Sequence, residues 1–347
     1  MFYKQHVVME KQLSRRKDII KCFLIIGFLS MSFLFYPVGL LAQTNKGSAP
    51  RLEKRGAVTQ LIVDDKPFLI LGGELHNSSS SSLYYLESAW QPLKDMHLNT
   101  VLAAVSWQLT EPEEGEYDFT LVDGMIRKAK EHDLKLVLLW FGSWKNGLSH
   151  YVPDWVKTDP VRFPRVMLDN GKATETLSPL GVESKKADAR AFAALMTHLK
   201  KVDAVDKRVI MVQVQNEVGV MGAVRDYSEL ANNAFYQQVP KALIDGLKKY
   251  ENELHSDVRE LWERNGKQET GTWSEVFGSN IKAEEYFMGW QYADYINEVG
   301  AAGREQYDLP LFVNAWIVQP EDKRPGDYPS GGPQEHLHDI WRIAAPE

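Results

Sequence analysis

The residues best placed by type and spacing to do chemistry are Asn216 and Glu217, which close a short apolar run. Of residues 209–214, five are apolar, three of them valine and one isoleucine, and only Gln213 is polar. That composition reads as a buried strand, fed by the charged segment 200–208. Gly219 then lets the backbone turn away. A carboxylate at the carboxyl end of a buried parallel strand stands where parallel α/β architectures keep their chemistry. The alternative is a plain loop acid, since Asn-Glu is a common dipeptide.

Other strand ends also carry polar groups. Residues 68–71 run into Gly72, Gly73, Glu74, Leu75, His76 and Asn77, a flexible strand end bearing an acid, an imidazole and an amide. Glu74 and His76 are equally readable as site groups or as loop structure. Trp107, Trp140, Trp144 and Trp316 lie at or just after strand ends, where an indole face can stack on an apolar ligand face. Core packing is the alternative for each, and the favoured one for Trp144. Asn314 follows the last apolar run.

The elements that must position these groups alternate along the chain. Residues 58–63 and 68–71 read as strands around a tight turn at 64–67. Residues 83–96 have helical spacing and 100–105 form a strand. Thr120 is a candidate cap for a helix over 121–132. A strand over 135–140, a loop-rich stretch over 151–178 and a helix over 187–202 follow. After the strand at 209 come a long helix over 227–254, kinked or broken at Pro240, and a polar, irregular stretch to 278. A helix over 283–302, a strand over 309–314 and a helix over 336–345 complete the series. Strand and helix in alternation argue for a parallel α/β fold. Five core strands are expected, near 68–75, 100–105, 135–140, 209–215 and 310–314.

The 347 residues are 44% hydrophobic and 25% charged, an ordinary globular composition. Residues 1–42 have a basic start, a long apolar run over 22–41 and Ala42 at a plausible cleavage point, which reads as a signal peptide. An uncleaved anchor is the alternative, because the run approaches bilayer-spanning length. Either way the protein is expected to be exported, to the periplasm or the exterior, with any membrane contact made through this segment. Six of the 40 basic and two of the 47 acidic residues fall in 1–42, so cleavage leaves a formal charge of −11 and no cysteine. That balance argues against a nucleic-acid partner and removes cysteine-based metal sites. Residues 43–54 read as a linker, and 55–347 as one catalytic domain.

Trp107 and the run Glu111, Pro112, Gly115, Tyr117, Asp118 and Phe119 resemble the second-strand signature of glycoside hydrolase families 35 and 42, the β-galactosidases of clan A. Asn99-Thr100-Val101 precedes them as in those families, Gly72-Gly73 with His76 is similar to the first-strand signature of family 35, and Asn216-Glu217 is similar to the fourth-strand pair. The resemblance covers roughly 55–347 and implies a (β/α)₈ TIM barrel of which this chain supplies about five units. It implies Glu217 as the acid/base of a retaining exo-glycosidase acting on terminal β-galactosides of oligo- or polysaccharides, without a cofactor or metal. Such cleavage needs one protonated carboxyl and a second carboxylate across the anomeric carbon. Burial would raise the pKa of Glu217 for that task. The resemblance further implies that Asn216 bonds a sugar hydroxyl, commonly the 2-OH. Glu111 has two equal readings, a sugar contact or a bond to turn amides, and Asn314 is a further hydroxyl contact.

Two departures qualify the resemblance. Family 35 places a tyrosine in the second strand and Cys-Ala-Glu near the end of the third. Here those regions read Leu102-Ala103-Ala104-Val105 and Trp140-Phe141-Gly142-Ser143. The reaction class is therefore implied more directly than the sugar, and a clan relative acting on another β-linked sugar is the alternative. Secondly, the clan's nucleophilic glutamate ends the seventh strand, and no acid after Asn314 ends an apolar strand. The expectation is a truncated piece of a longer enzyme, inactive alone and with an uncovered barrel interior. A non-catalytic carbohydrate-binding remnant is the remaining alternative.

Overall fold

The computed structural model describes residues 48–346. The expected signal peptide and the first five residues of the expected linker, 43–47, lie outside them. No helix among the described residues is long and apolar enough to cross a membrane.

The first element corrects the linker reading. β1 (Arg51–Arg55) pairs antiparallel with β2 (Val58–Val63), and β3 (Lys66–Pro67) pairs with the end of β2. β1 escapes a hydrophobic-pattern reading because it is polar throughout except Leu52. Its charges pair along one side, Arg51 with Glu53 at 3.2 Å and Arg55 with Glu53 at 3.0 Å. The turn occupies Asp64 and Asp65, with φ of 50° and 61°. That left-handed pair is the two-residue hairpin geometry that aspartate tolerates. Lys66 and Pro67 already belong to the returning strand.

The five expected core strands are present as one sheet: β4 (Gly72–Glu74), β5 (Thr100–Ser106), β6 (Lys135–Lys145), β9 (Val209–Asn216) and β10 (Leu311–Phe312). They are parallel and lie side by side in chain order, with β4 and β10 at the edges. All their carboxyl ends therefore share one rim. The sheet is the open sector of an α/β barrel, not a closed one. An antiparallel hairpin, β7 (Arg165–Met167) with β8 (Ala173–Leu177), lies in the stretch expected to be loop.

The helices between the strands are α1 (Leu83–Glu87), α2 (Trp90–Asp95), α3 (Trp107–Thr110), α4 (Thr120–Glu131), α5 (Asp154–Lys157) and α6 (Val182–Asp203). After β9 come α7 (Glu229–Phe235), α8 (Lys241–Lys249), α9 (Ser256–Arg264), α10 (Trp273–Phe277), α11 (Ile281–Gln306) and α12 (His338–Ala344). Residues 83–96 form two helices because Pro92, in the first turn of α2, has no N–H to bond back across Ser88. Thr120 is inside α4, and it is Asp118 whose side chain accepts the Thr120 amide, at 2.8 Å. Pro240 breaks the 227–254 segment into α7 and α8. The stretch expected to be irregular holds α9 and α10, the latter started by a capping box between Thr272 and Glu275. Its apolar residues, Val258, Trp262, Trp273, Val276 and Phe277, are buried but too few per helix to set a period.

The main core lies between the sheet and the outer helices. Along α6 the buried positions Ser184, Asp188, Phe192, Leu195 and Leu199 recur at steps of three or four. α11 crosses against this stripe, and Gly303 is the point of closest approach. A Cβ there would lie 2.3 Å from Phe192 Cε1. A second core, Ala104, Val137, Leu139, Phe141 and Ile210, lines the opposite face, the barrel interior. Val63 belongs to it, and Leu61, Phe68, Ile70 and Tyr151 pack on it. The interior expected to be uncovered is thus partly closed by the N-terminal hairpin.

Gly303→Ala tests the helix contact. Alanine favours a helix by up to ~1 kcal/mol, but overpacking here costs roughly 1–3 kcal/mol. Urea unfolding should show a net loss of stability; a gain would show that Phe192 moves freely.

Candidate active site at the carboxyl rim of the sheet

β9 delivers Asn216 and Glu217 to the rim through an unusual backbone. Gln215 and Glu217 both have left-handed φ, 65° and 47°, which for a residue with a Cβ costs on the order of 1–2 kcal/mol. Neighbouring groups hold them there. Gln213 Nε2 donates to the Gln215 carbonyl at 2.8 Å, and the Gly147 amide donates to the Glu217 carbonyl at 2.9 Å. The Glu217 amide donates to Asn314 Oδ1 at 2.9 Å. Gly219 follows with φ 141°, and a Cβ there would lie 2.4 Å from the Pro329 carbonyl carbon, so glycine is needed for close approach as well as for turning.

Behind the rim lies a fully buried carboxylate, Asp188 of α6. Its Oδ1 accepts the Trp140 indole N–H at 2.8 Å. Its Oδ2 accepts the Ser143 amide at 3.1 Å, the Ser143 hydroxyl at 2.7 Å and Gln215 Nε2 at 2.7 Å. Burial pushes the Asp188 carboxyl up from its ordinary pKa, and the bonds from Ser143, Trp140 and Gln215 oppose that rise. Gln215 Oε1 in turn accepts the Trp144 amide at 3.0 Å. The Tyr295 hydroxyl of α11 lies 2.7 Å from Ser143 Oγ. Trp140 is therefore a core residue with its N–H committed, and the expected sugar-stacking role is corrected.

In front of this network, Glu217 meets Lys145, the last residue of β6. Lys145 Nζ lies 4.0 Å from Glu217 Oε2; their side chains are 11% and 24% exposed. The ammonium also donates to Asn146 Oδ1 and sits 5.4 Å above the Phe141 ring. Burial pushes the Glu217 carboxyl up from its ordinary value; Lys145 opposes that rise and Glu74 adds to it. Burial pushes the Lys145 ammonium down, against the two carboxylates. Glu74, at the end of β4, is itself exposed.

The structure thus gathers Glu217, Asn216, Asn314 and Glu74 at the carboxyl ends of β9, β10 and β4. Asn216 is buried, and its Oδ1 accepts no hydrogen bond among the described residues. Asn314 spends its carbonyl oxygen on the Glu217 backbone. His76 is exposed beyond β4, where Nδ1 accepts the Ser78 amide at 3.4 Å. Trp316 is half-buried beyond β10.

Trp107 and Glu111 are corrected together. Trp107 is fully buried and donates its indole N–H to Glu111 Oε2 at 2.7 Å, while Glu111 Oε1 accepts the Gly115 amide at 2.8 Å. The Trp155 ring meets Trp107 edge-on, 5.8 Å between centroids. Both Glu111 oxygens are committed inside the protein, Oε2 to the Trp107 indole and Oε1 to the Gly115 turn amide, the second of its two readings. Sequence reasoning missed Lys145, Asp188 and Gln215. Asp188 had a signal: it is an acid on the apolar stripe of its helix, four residues before Phe192.

Residues 84–280 match the model of glycoside hydrolase family 42, described as beta-galactosidase. A beta-galactosidase of Xanthomonas manihotis is 26% identical over 189 residues, 50% of this chain and 27% of the relative. An exo-beta-D-glucosaminidase of Pyrococcus horikoshii is 30% identical over 106 residues, 27% of this chain and 13% of the relative. The chain therefore spans about a quarter or less of these relatives' length. Among solved structures, the catalytic domain of a beta-amylase from Paenibacillus polymyxa aligns with a TM-score of 0.46 and 16% identity over 71% of this chain and 65% of its own. A beta-galactosidase from the psychrophilic Marinomonas ef1 aligns with 0.48 and 15% identity over 71% and 37%.

Replacing Asp188 with alanine strips the acceptor from four donors at once. A loss of at least about 3 kcal/mol is expected in urea unfolding, since each buried unpaired donor costs ~1–3 kcal/mol. Asp188→Asn, which keeps the volume and one acceptor, should lose less. Equal losses would mean that packing, not hydrogen bonding, holds this corner.

Proposed function

The chain belongs to glycoside hydrolase family 42, and from that membership we propose that it carries the acid/base half of a retaining exo-glycosidase acting on terminal β-galactosides of oligo- or polysaccharides. The observation that carries this reading is the position of Glu217. It is a partly buried carboxylate with a raised pKa, at the rim of a parallel sheet and beside Asn216. A group in that state can hold a proton for the glycosidic oxygen, and the carboxylate left behind can take one from water in the second step. Asn216 Oδ1, buried and without an acceptor role among the described residues, is suited to receive a sugar hydroxyl. Asn314 acts by holding the Glu217 backbone. Glu74 and His76 border the approach to the site, and Trp316 is the remaining tryptophan with a face to offer a sugar. The nucleophile is expected on a seventh strand, and the described sheet has five. Export belongs to the same reading and rests on the sequence of residues 1–42.

A second reading, a different β-linked sugar, is favoured by Leu102 and Ala104, which line the interior face where family 35 would supply a tyrosine. On the full-length protein, with its nucleophile strand, nitrophenyl β-glycosides separate the two, and the galactoside should turn over fastest. A faster glucosaminide or glucoside would select the second reading, and binding without turnover would indicate a lectin-like role.

In the full-length protein, Glu217→Gln should lower turnover by ~100-fold or more, the typical worth of a general acid. Unchanged turnover would remove Glu217 from the mechanism. Because its pKa is raised, the acid form persists above the ordinary glutamate range, and activity should fall as pH rises through the shifted value. An alkaline limb at the ordinary glutamate pKa would contradict the burial argument.

A further inference from the structure

We propose that Lys145, poised beside Glu217, and Glu74, across the rim, act as opposed charges on whether Glu217 holds its proton, Lys145 favouring the carboxylate and Glu74 the acid. The inference rests on Glu217 being the acid/base, and it makes Lys145 and Glu74 positioning residues for that group's proton. The geometry comes from β6. Trp140 pairs with Val214 and Lys145 with Asn216, so β6 spends five steps where β9 spends two. This bulge carries the Lys145 ammonium to the interior side, above Phe141 and 4.0 Å from Glu217 Oε2. That separation exceeds a hydrogen bond, so the ammonium acts on Glu217 through its charge, while its donated bond goes to Asn146 Oδ1.

Among the described residues, the charged groups acting on Glu217 are Lys145 from β6 and Glu74 from β4. Its neighbour from beyond β10 is the neutral Asn314 amide. Lys145 in turn feels the charges of both Glu217 and Glu74. The side chain is well shielded, so salt screens the pair less than it would at the surface. A retaining cycle needs both states of one group: a proton to give in the first step and a carboxylate to receive one in the second. Burial alone favours the first and penalises the second. A cation at 4.0 Å restores the carboxylate without locking it into a contact pair, and Glu74 keeps that correction from overshooting.

The test reads Glu217 directly and needs no turnover. The chain is labelled with ¹³C at the glutamate side-chain carboxyl carbon, and the Glu217 resonance is assigned by its loss in Glu217→Gln. Lys145→Met should raise the titration midpoint by about one unit or more, as expected for removing a partly shielded cation at this distance. Lys145→Arg should restore it to within a few tenths. Glu74→Gln should lower it. Shifts of opposite sign from the two sites are not produced by loosened packing. An unmoved midpoint in Lys145→Met, or an upward shift in Glu74→Gln, overturns the proposal. Glu74 is exposed, so its variant remains a test even where Lys145→Met folds poorly. Linked titration in a protein whose turnover ignores Glu217→Gln would uphold the opposed charges and sink the catalytic reading.

Discussion

The site depends on the carboxyl group of Asp188 being fully buried and met by four donors. An ionised carboxyl inside a protein is costly unless each lone pair is met by a donor. Here four donors come from two strands: the Trp140 indole and the Ser143 hydroxyl and backbone amide on β6, and Gln215 on β9. The helix α6 is thereby tied to the ends of both strands. Gln215 is held in a left-handed conformation by this bond and by the Trp144 amide, and its conformation aims Asn216 and Glu217 out of the strand. Gly142 follows from the same packing, because a Cβ there would lie 2.4 Å from Trp140 Nε1 and 2.6 Å from Asp188 Oδ1. Strain at the functional end of β9 is thus sustained by hydrogen bonds that have nowhere else to go.

How much of this was legible in the sequence depended on which interaction fixed each feature. The five parallel strands were, because burial on both faces leaves continuous apolar runs such as 135–140 and 209–214. Glu217 and Asn216 were legible as a strand end bearing polar groups. The roles of Trp107, Glu111 and Trp140 were not. Each pairing is a contact between one polar atom and one partner, and the indole–carboxylate bonds of Trp107 with Glu111 and Trp140 with Asp188 have no periodicity to announce them. β1 was invisible for a related reason: it is an edge strand, held by backbone pairing and by an arginine–glutamate row.

The interior face shows a similar limit. Counting strands leads to an exposed apolar surface, yet the chain before β4 folds back on it. Leu61, Val63, Phe68 and Ile70 alternate along the hairpin and lay their apolar side against Ala104, Val137, Leu139 and Ile210. Small and branched side chains on the sheet leave room for that cover. A hairpin that precedes the core strands thus closes one end of the interior.

The bulge in β6 joins the packing network to the electrostatics of the site. Strict alternation would put residues 141, 143 and 145 on one face of the strand. Instead Trp140, Ser143 and Trp144 turn to the helix layer, where Asp188, Tyr295 and the Leu177 carbonyl receive them. Phe141 and Lys145 turn to the interior. Extra residues in one strand are what allow this division, since a bulge re-aims side chains without ending the pairing. The same irregularity therefore completes the shell of Asp188 and delivers a cation to Glu217. A regular β6 would lose one or the other: either Ser143 would leave Asp188, or Lys145 would point away from the carboxylate.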